Sequence, residues 1–307
     1  MAKNQKFVTY SLLTFLILVW GVSWPIYKNA VPYMPPFLFA GFRAFVGGII
    51  LFLFILNRLH LLKFKENWKF YLLSATLNIT CYLGIQTVGL NFLPGGLFSV
   101  LVYFQPVLLG LLSWWFLKEN MTILKIFGLI IGFIGIVFVS VDGLTLHLSV
   151  FGVVLALATA LGWAIGVVYV KKNKNRIDAY WMIVMQLIIG GATLLIAGGI
   201  TENYQEIVWN TDLILTLVWG STLGMPIAQF IYYKLMNEGE ASKVGAFTFL
   251  VPIISVLISA LFLGEAITMK LFIGMILVGL SIYLVNVNFR RPLKLKLRNE
   301  KKCQEQI

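Results

Sequence analysis

Apolar residues run along this chain in long unbroken blocks, separated by short polar connections. The blocks fall near 8–27, 36–56, 69–90, 93–117, 122–141, 149–170, 179–200, 211–236, 242–263 and 269–288. Each approaches the 17–25 residues, roughly, that a helix needs to cross a bilayer. Inside lipid every backbone group must be satisfied within the protein, which leaves helices or a closed barrel. Barrel strands would alternate apolar and polar positions; these blocks do not, so the pattern predicts ten helices. The connection Asn91-Phe92-Leu93-Pro94 is tight enough to make the third and fourth helices antiparallel neighbours.

The blocks also repeat. Pro106, Glu119, Thr122 and Gly128 recur as Pro252, Glu265, Thr268 and Gly274, an offset of 146 (252 − 106). Near the front of each half the offset is 143 (163 − 20): Trp20 matches Trp163, Arg43 matches Gln186, and Gly47-Gly48 matches Gly190-Gly191. An odd number of spans per copy turns the second copy upside down. The expected fold is therefore an all-α polytopic membrane protein, its ten transmembrane helices forming two inverted five-helix repeats, 8–141 and 149–288, with a basic tail at 289–307. Inverted repeats with a solute site near the midplane are the architecture of alternating-access carriers.

Composition supports lipid as the solvent. Hydrophobic residues make up 60% of the chain, mean hydropathy is +0.90, and 12% of residues are charged, about half the share usual in a soluble domain. The start around Lys3 and Lys6 runs into an apolar stretch with no small-residue cleavage site, so no cleavable leader is expected. Cys81 and Cys303 are too few for a disulfide framework or a metal site. The net charge of +12 is distributed by loop. Arg58, Lys63, Lys65 and Lys69, then Lys118 and Lys125, then Lys171, Lys172, Lys174 and Arg176, then Lys234 and Lys243 mark the even connections; Lys28 and Lys270 are the exceptions in odd ones. Basic residues mark the cytoplasmic side, which places both termini inside and the protein in the plasma membrane. The tail reads as a topology anchor drawn to anionic lipid. No stacking motif accompanies the charge, so the expected partners are the bilayer and a small-molecule solute, not nucleic acid.

Arg43 is the ionised side chain that lies well inside a span. Burial there costs roughly 2.5–3.5 kcal/mol on insertion scales, so it faces either a solute's anionic group or helix-end carbonyls in a structural role. Trp20, Trp24 and Tyr27 on the first helix, with Trp163 and Tyr169 on the sixth, suit either a cavity for flat organic solutes or an interfacial belt. Asn78, Thr80, Tyr82 and Gln86, then Ser99, Tyr103 and Gln105, then Ser221, Thr222 and Gln229 should point into the bundle, toward substrate or toward one another. The candidate substrate-binding set is Arg43, Trp20, Trp163, Asn78, Tyr82, Gln86, Tyr103, Gln186 and Gln229. Pro106 and Pro252, read as mid-helix, are candidate gating bends, with static curvature as the alternative. Gly128-Gly132-Gly135 and Gly274-Gly279 permit close helix contact, within one chain or across a homodimer. Glu119 and Glu265 read as caps of the fifth and tenth helices. With no mid-membrane acid, no phosphate-cradling loop, no nucleophile–base pair and no metal-spaced His, neither an enzyme nor a cofactor is expected.

The Trp20-Gly21-Val22-Ser23-Trp24 segment, Arg43, and the two copies of Pro…Leu-x-Glu-x-x-Thr…Gly (Pro106, Leu117, Glu119, Thr122, Gly128; Pro252, Leu263, Glu265, Thr268, Gly274) resemble the drug/metabolite transporter superfamily, in its EamA-type branch. The resemblance covers roughly residues 8–288. It implies ten helices in two inverted halves, a central cavity, and export of amino acids or related metabolites from a bacterium. The small multidrug members rely on a first-helix glutamate that this chain lacks. Competing expectations are drug or toxin efflux and, in a different class, a membrane-embedded ligand sensor or scaffold that does not transport.

Overall fold

The computed structural model describes residues 2–30, 32–89, 91–92, 98, 101–140, 149–263 and 269–287. Among these residues there is no strand. The first half contains α1 (Ala2–Ala30), α2 (Pro36–Phe54), α3 (Phe64–Ala75), α4 (Tyr82–Gly89), α5 (Gln105–Leu117) and α6 (Ile123–Ser140). The second contains α7 (Val150–Lys172), α8 (Ala179–Thr201), α9 (Thr211–Trp219), α10 (Ala228–Glu238), α11 (Ala241–Phe247), α12 (Leu250–Leu263) and α13 (Met269–Asn286).

Local chemistry starts these helices where the sequence allows. Pro36 occupies the first turn of α2, where its missing N–H costs nothing. Ser149 accepts from the Gly152 N–H at 3.2 Å to open α7, and Asn210 accepts from the Leu213 N–H at 2.8 Å to open α9. Five segments are long and apolar enough to span a bilayer among the described residues: Phe7–Tyr27, Pro36–Phe54, Val150–Lys172, Ala179–Thr201 and Thr211–Glu238. Large side chains such as Phe54, Val150 and Ile200, 78–80% exposed, would be costly in water and are at home in lipid.

Three features depart from uninterrupted helices. The third and eighth spans each carry a π-helical turn, Thr76–Cys81 between α3 and α4 and Gly220–Ile227 between α9 and α10. Under the repeat offset the two begin within one residue of each other, since 76 + 143 = 219 and the second turn starts at Gly220. The fourth and ninth spans are broken at 103–104 and 248–249. Pro106 and Pro252 are therefore not mid-helix: each lies in the first turn after a break, where no intrahelical donor is lost.

The halves pack as inverted counterparts. α2 runs antiparallel to α8, and α6 antiparallel to α13, with glycines at the crossings. A Cβ added at Gly41 would stand 2.8 Å from the Leu195 nitrogen, at Gly48 2.9 Å from the Ile188 nitrogen, and at Gly198 3.0 Å from Leu38. The symmetric contact joins Gly191 to Phe45, and Phe45 and Ile188 are themselves 143 apart (188 − 45). Along the other pair, Gly128 meets Val285 and Gly135 meets Val278. The remaining packing is exchanged in the same way: α1 lies on α12 and α10, while α7 lies on α5 and α4. The glycine contacts are thus made within one chain; Gly279 faces open space.

Polar latches hold the ends. Glu202, at the end of α8, accepts from the Phe37 and Leu38 N–H groups at 2.8 and 2.9 Å and so caps α2. At the opposite end Arg58 pairs with Asp178 at 2.8 Å, and the Trp181 indole donates to the Arg58 carbonyl at 2.7 Å. Glu119 does not cap the next helix along the chain. Thr122 fills that role, accepting from the Lys125 N–H at 3.3 Å. The Glu119 carboxylate instead crosses to the second half, where it accepts from the Ala241 and Ser242 N–H groups at 2.7 and 3.3 Å and pairs with Lys171 at 2.7 Å. The physical reason is that α11 begins with its backbone donors free of any cap from Glu240, and an anion is best placed at such an N-terminus. The paired expectation for Glu265 and Thr268 lies outside the described residues, as do the tail, Ser99 and the Trp24 side chain.

Candidate functional site

Between the halves lies a cavity of about 110 Å³. Its walls come from α1, α2, the π turns and helices of the third and eighth spans, α7, and the break in the fourth span. Eight of the nine expected binding residues line it: Arg43, Trp20, Trp163, Asn78, Tyr82, Gln86, Tyr103 and Gln229.

Arg43 reaches the cavity from α2 because glycine clears its route. A Cβ at Gly220 would meet the Arg43 Cβ at 3.2 Å and Cδ at 3.3 Å. The guanidinium carbon sits 4.2 Å from the centre of the Tyr27 ring and 5.1 Å from that of Phe39. Each ring contributes on the order of 0.5–2 kcal/mol. The Arg43 Nε is buried without an acceptor, and among the described residues no carboxylate forms an ion pair with it. A cation in that position supplies directed N–H donors to a visiting anion.

A layer of aromatic rings lies deeper. The repeat-matched Trp20 and Trp163 meet edge to face, 6.0 Å apart at 67°. Tyr82 packs on Trp163 at 5.0 Å, and Tyr232 on Trp20 at 5.1 Å. Trp20 precedes Tyr27 by seven positions (27 − 20), about 10 Å along a helix. Lys171 comes eight positions after Trp163 (171 − 163), about 12 Å further toward the basic face. From the end opposite the basic connections inward the order is Arg43 with Tyr27, then the rings, then the Glu119–Lys171 latch. On the basic side of the rings this latch joins the two halves.

The polar wall is only partly satisfied. Asn78, 4% exposed, donates through Nδ2 to the Ser74 carbonyl at 3.1 Å, and its Oδ1 has no donor. Gln86 and Gln229, which stand 143 apart (229 − 86), each bury an amide oxygen without a partner. A buried acceptor left unpaired costs about 1–3 kcal/mol. Gln186 is placed elsewhere: fully buried in α8, it lies against Tyr233 behind the cavity wall, near enough to interact but without standard hydrogen-bond geometry. Tyr169 stacks on Phe70 at 5.2 Å, away from the cavity, and Thr222 bonds back to the Val218 carbonyl at 2.7 Å. The candidate set leaves out Ser23, Met225, Tyr232 and Tyr233, and Tyr27 is open there between the cavity and an interfacial belt; all five are on the wall. Ser23 is held there by the Trp219 indole, which donates to its hydroxyl at 2.9 Å. No cluster of His, Cys, Asp and Glu able to hold a metal occurs among the described residues.

Comparison with known proteins agrees with this architecture. The profile of the EamA-like transporter family matches residues 8–141 and 150–287. A protein of Bacillus subtilis (strain 168), named uncharacterized transporter YvbV, is 47% identical over 286 residues, covering 93% of this chain and 94% of the relative. A probable amino-acid metabolite efflux pump of Escherichia coli (strain K12) is 24% identical, covering 92% of this chain and 97% of that protein. A crystal structure superposes with a TM-score of 0.79 at 18% identity, covering 91% and 96% of the two chains, a likeness of fold alone. Matched in both halves, this polytopic membrane protein belongs to the EamA-like transporter family of the drug/metabolite transporter superfamily.

Proposed function

We propose that this transporter exports a small carboxylate-bearing metabolite, an amino acid or a close relative, across the plasma membrane by alternating access. The observation that carries the reading is Arg43, buried at its Nε, stacked on Tyr27 and Phe39, and without an anionic partner among the described residues. A guanidinium kept in lipid at that cost suits a solute that brings its own carboxylate. The aromatic layer supplies the apolar contact for the rest of the solute. The name of the Escherichia coli relative, an amino-acid metabolite efflux pump, fits the same chemistry.

In this reading the repeats 8–141 and 149–288 rock about the breaks ahead of Pro106 and Pro252, and both termini and the tail at 289–307 lie in the cytoplasm. The Glu119–Lys171 latch, which joins the halves on the basic side, then acts as a contact that holds the cytoplasmic gate shut. Efflux from liposomes preloaded with a panel of amino acids, antimicrobial dyes and neutral metabolites tests it. Saturable efflux confined to carboxylate-bearing members is the expected result. Efflux of dyes alone would favour drug extrusion, and saturable binding without flux would favour a sensor.

A further inference from the structure

We propose that Gly224 is a positioning residue for solute recognition: the space left by its missing side chain seats the Tyr27 ring against the Arg43 guanidinium and so aims that cation. The proposal rests on the carrier reading above, with Arg43 as its anion contact. Gly224 lies in the π turn Gly220–Ile227 of the eighth span, a rare geometry that recurs at functional sites. It lines the cavity together with Tyr27 and Arg43. A Cβ built on it would overlap the Tyr27 hydroxyl oxygen, while the ring carbon bearing that oxygen would stand at an ordinary 3.4 Å. Four positions earlier (224 − 220), a Cβ at Gly220 would meet the Arg43 Cδ at 3.3 Å and the Tyr27 Cε1 at 3.5 Å. The two glycines together form the face on which tyrosine and arginine rest.

Shape, not hydrogen bonding, places this ring. The Tyr27 hydroxyl is buried without a partner, so no polar contact fixes its direction. Around the ring stand Phe39, edge to face at 5.8 Å and 73°, the guanidinium carbon of Arg43 at 4.2 Å, and the glycine face of the π turn. That turn is itself pinned to both neighbouring helices. On α2, a Cβ at Gly47, four positions after Arg43 (47 − 43), would stand 2.9 Å from the Ser221 carbonyl oxygen and 3.2 Å from the Pro226 Cδ. On α1, the Ser23 hydroxyl accepts from the Trp219 indole at 2.9 Å, one helical turn before Tyr27. With the backbone held on two sides, a methyl group at position 224 displaces the Tyr27 ring, and Arg43 loses the face it stacks on. A guanidinium carries its donors in a rigid planar fork, so a tilt moves all of them at once.

The test is counterflow in proteoliposomes with the amino acid that moves fastest in the efflux panel and with its carboxamide, which lacks the anion. Gly224→Ala should raise KM for the amino acid by roughly ten- to thirtyfold, the worth of a desolvated cation–π contact. Its kcat should change less, and the carboxamide should move as in wild type. Tyr27→Phe removes the oxygen that the new methyl group would strike. Gly224→Ala placed on Tyr27→Phe should therefore cost less than about threefold relative to Tyr27→Phe alone. A glycine needed only to pack the π turn would lower both fluxes in parallel and cost as much in either background; that result, or an unchanged KM in Gly224→Ala, overturns the proposal. If Gly224→Ala does not fold, the double variant should fold and transport as Tyr27→Phe does, and a double variant that also fails to fold overturns it. If wild type moves no amino acid, the carrier reading fails. The slot is then decided by thermal melting: the loss caused by Gly224→Ala should vanish on Tyr27→Phe, and its persistence overturns the slot.

Discussion

Glu119→Ala should unlock the basic face. Its carboxylate joins the end of α5 to the second half through the Ala241 N–H at 2.7 Å, the Ser242 N–H at 3.3 Å, the Ser242 hydroxyl at 3.2 Å and Lys171 at 2.7 Å. The two charged side chains are only 10% and 11% exposed. Removing one partner from such a pair costs about 3–5 kcal/mol. Lys171 keeps the Gly239 carbonyl at 2.6 Å, so the lower figure applies. About 3 kcal/mol is roughly a hundredfold in the balance between conformations closed and open on this face. The assay uses a single cysteine at Ser23, on the cavity wall, with Cys81 and Cys303 replaced by serine. An impermeant maleimide is applied from the basic side of oriented vesicles. Labelling should speed up by one to two orders of magnitude in Glu119→Ala. An unchanged rate would refute the latch; a lower melting temperature with unchanged labelling would reduce Glu119 to a cap of α11.

Particular contacts set three further outcomes. At Gly48 a side chain would press within 2.9 Å of the Ile188 nitrogen and the Leu187 Cβ, so Gly48→Val should lose about 1–3 kcal/mol by thermal melting in detergent. Gly279→Ala, with nothing within 4 Å, should melt as wild type does. Burial alone would raise the Glu240 carboxyl pKa, but hydrogen bonds from Lys125 and Lys243 outweigh it and hold the group below its ordinary value. Its contribution to stability is thus present above the ordinary carboxylate range and lost as pH falls through the lowered value. Glu240→Gln should flatten that acid-side loss in melting curves between about pH 7 and 3, modestly, since the side chain is 36% exposed.

The sequence disclosed whatever repeats or whatever lipid punishes. The 143 offset between Trp20 and Trp163 marked two rings that meet in the interior, and the offset between Gly48 and Gly191 marked the helix crossing. Arg43 was legible because a charge in a span needs a reason. Glu119 was misread because its partners, Ala241, Ser242 and Lys171, lie more than fifty positions away, and local capping logic stops at the next helix. The π turns were invisible to a 3.6-residue period, yet the extra residue in each rotates the remainder of its span. Tyr232 and Tyr233, which follow the π turn of the eighth span, line the cavity. Pro106 and Pro252 marked the right neighbourhood, but the chain breaks two or three residues earlier. Pairing Gln86 with Gln229 by the same offset would have pointed to the eighth span as a cavity wall.

Counterflow of a labelled amino acid, run side by side with wild type, Arg43→Ala and Arg43→Lys at matched levels of folded, reconstituted protein, tests most directly whether the chamber between the halves carries a solute. Wild type should accumulate tracer saturably, Arg43→Ala should fall at least tenfold, about 1.4 kcal/mol of lost recognition, and Arg43→Lys should recover part of it. Equal accumulation by wild type and Arg43→Ala, or none above protein-free liposomes, would contradict the account.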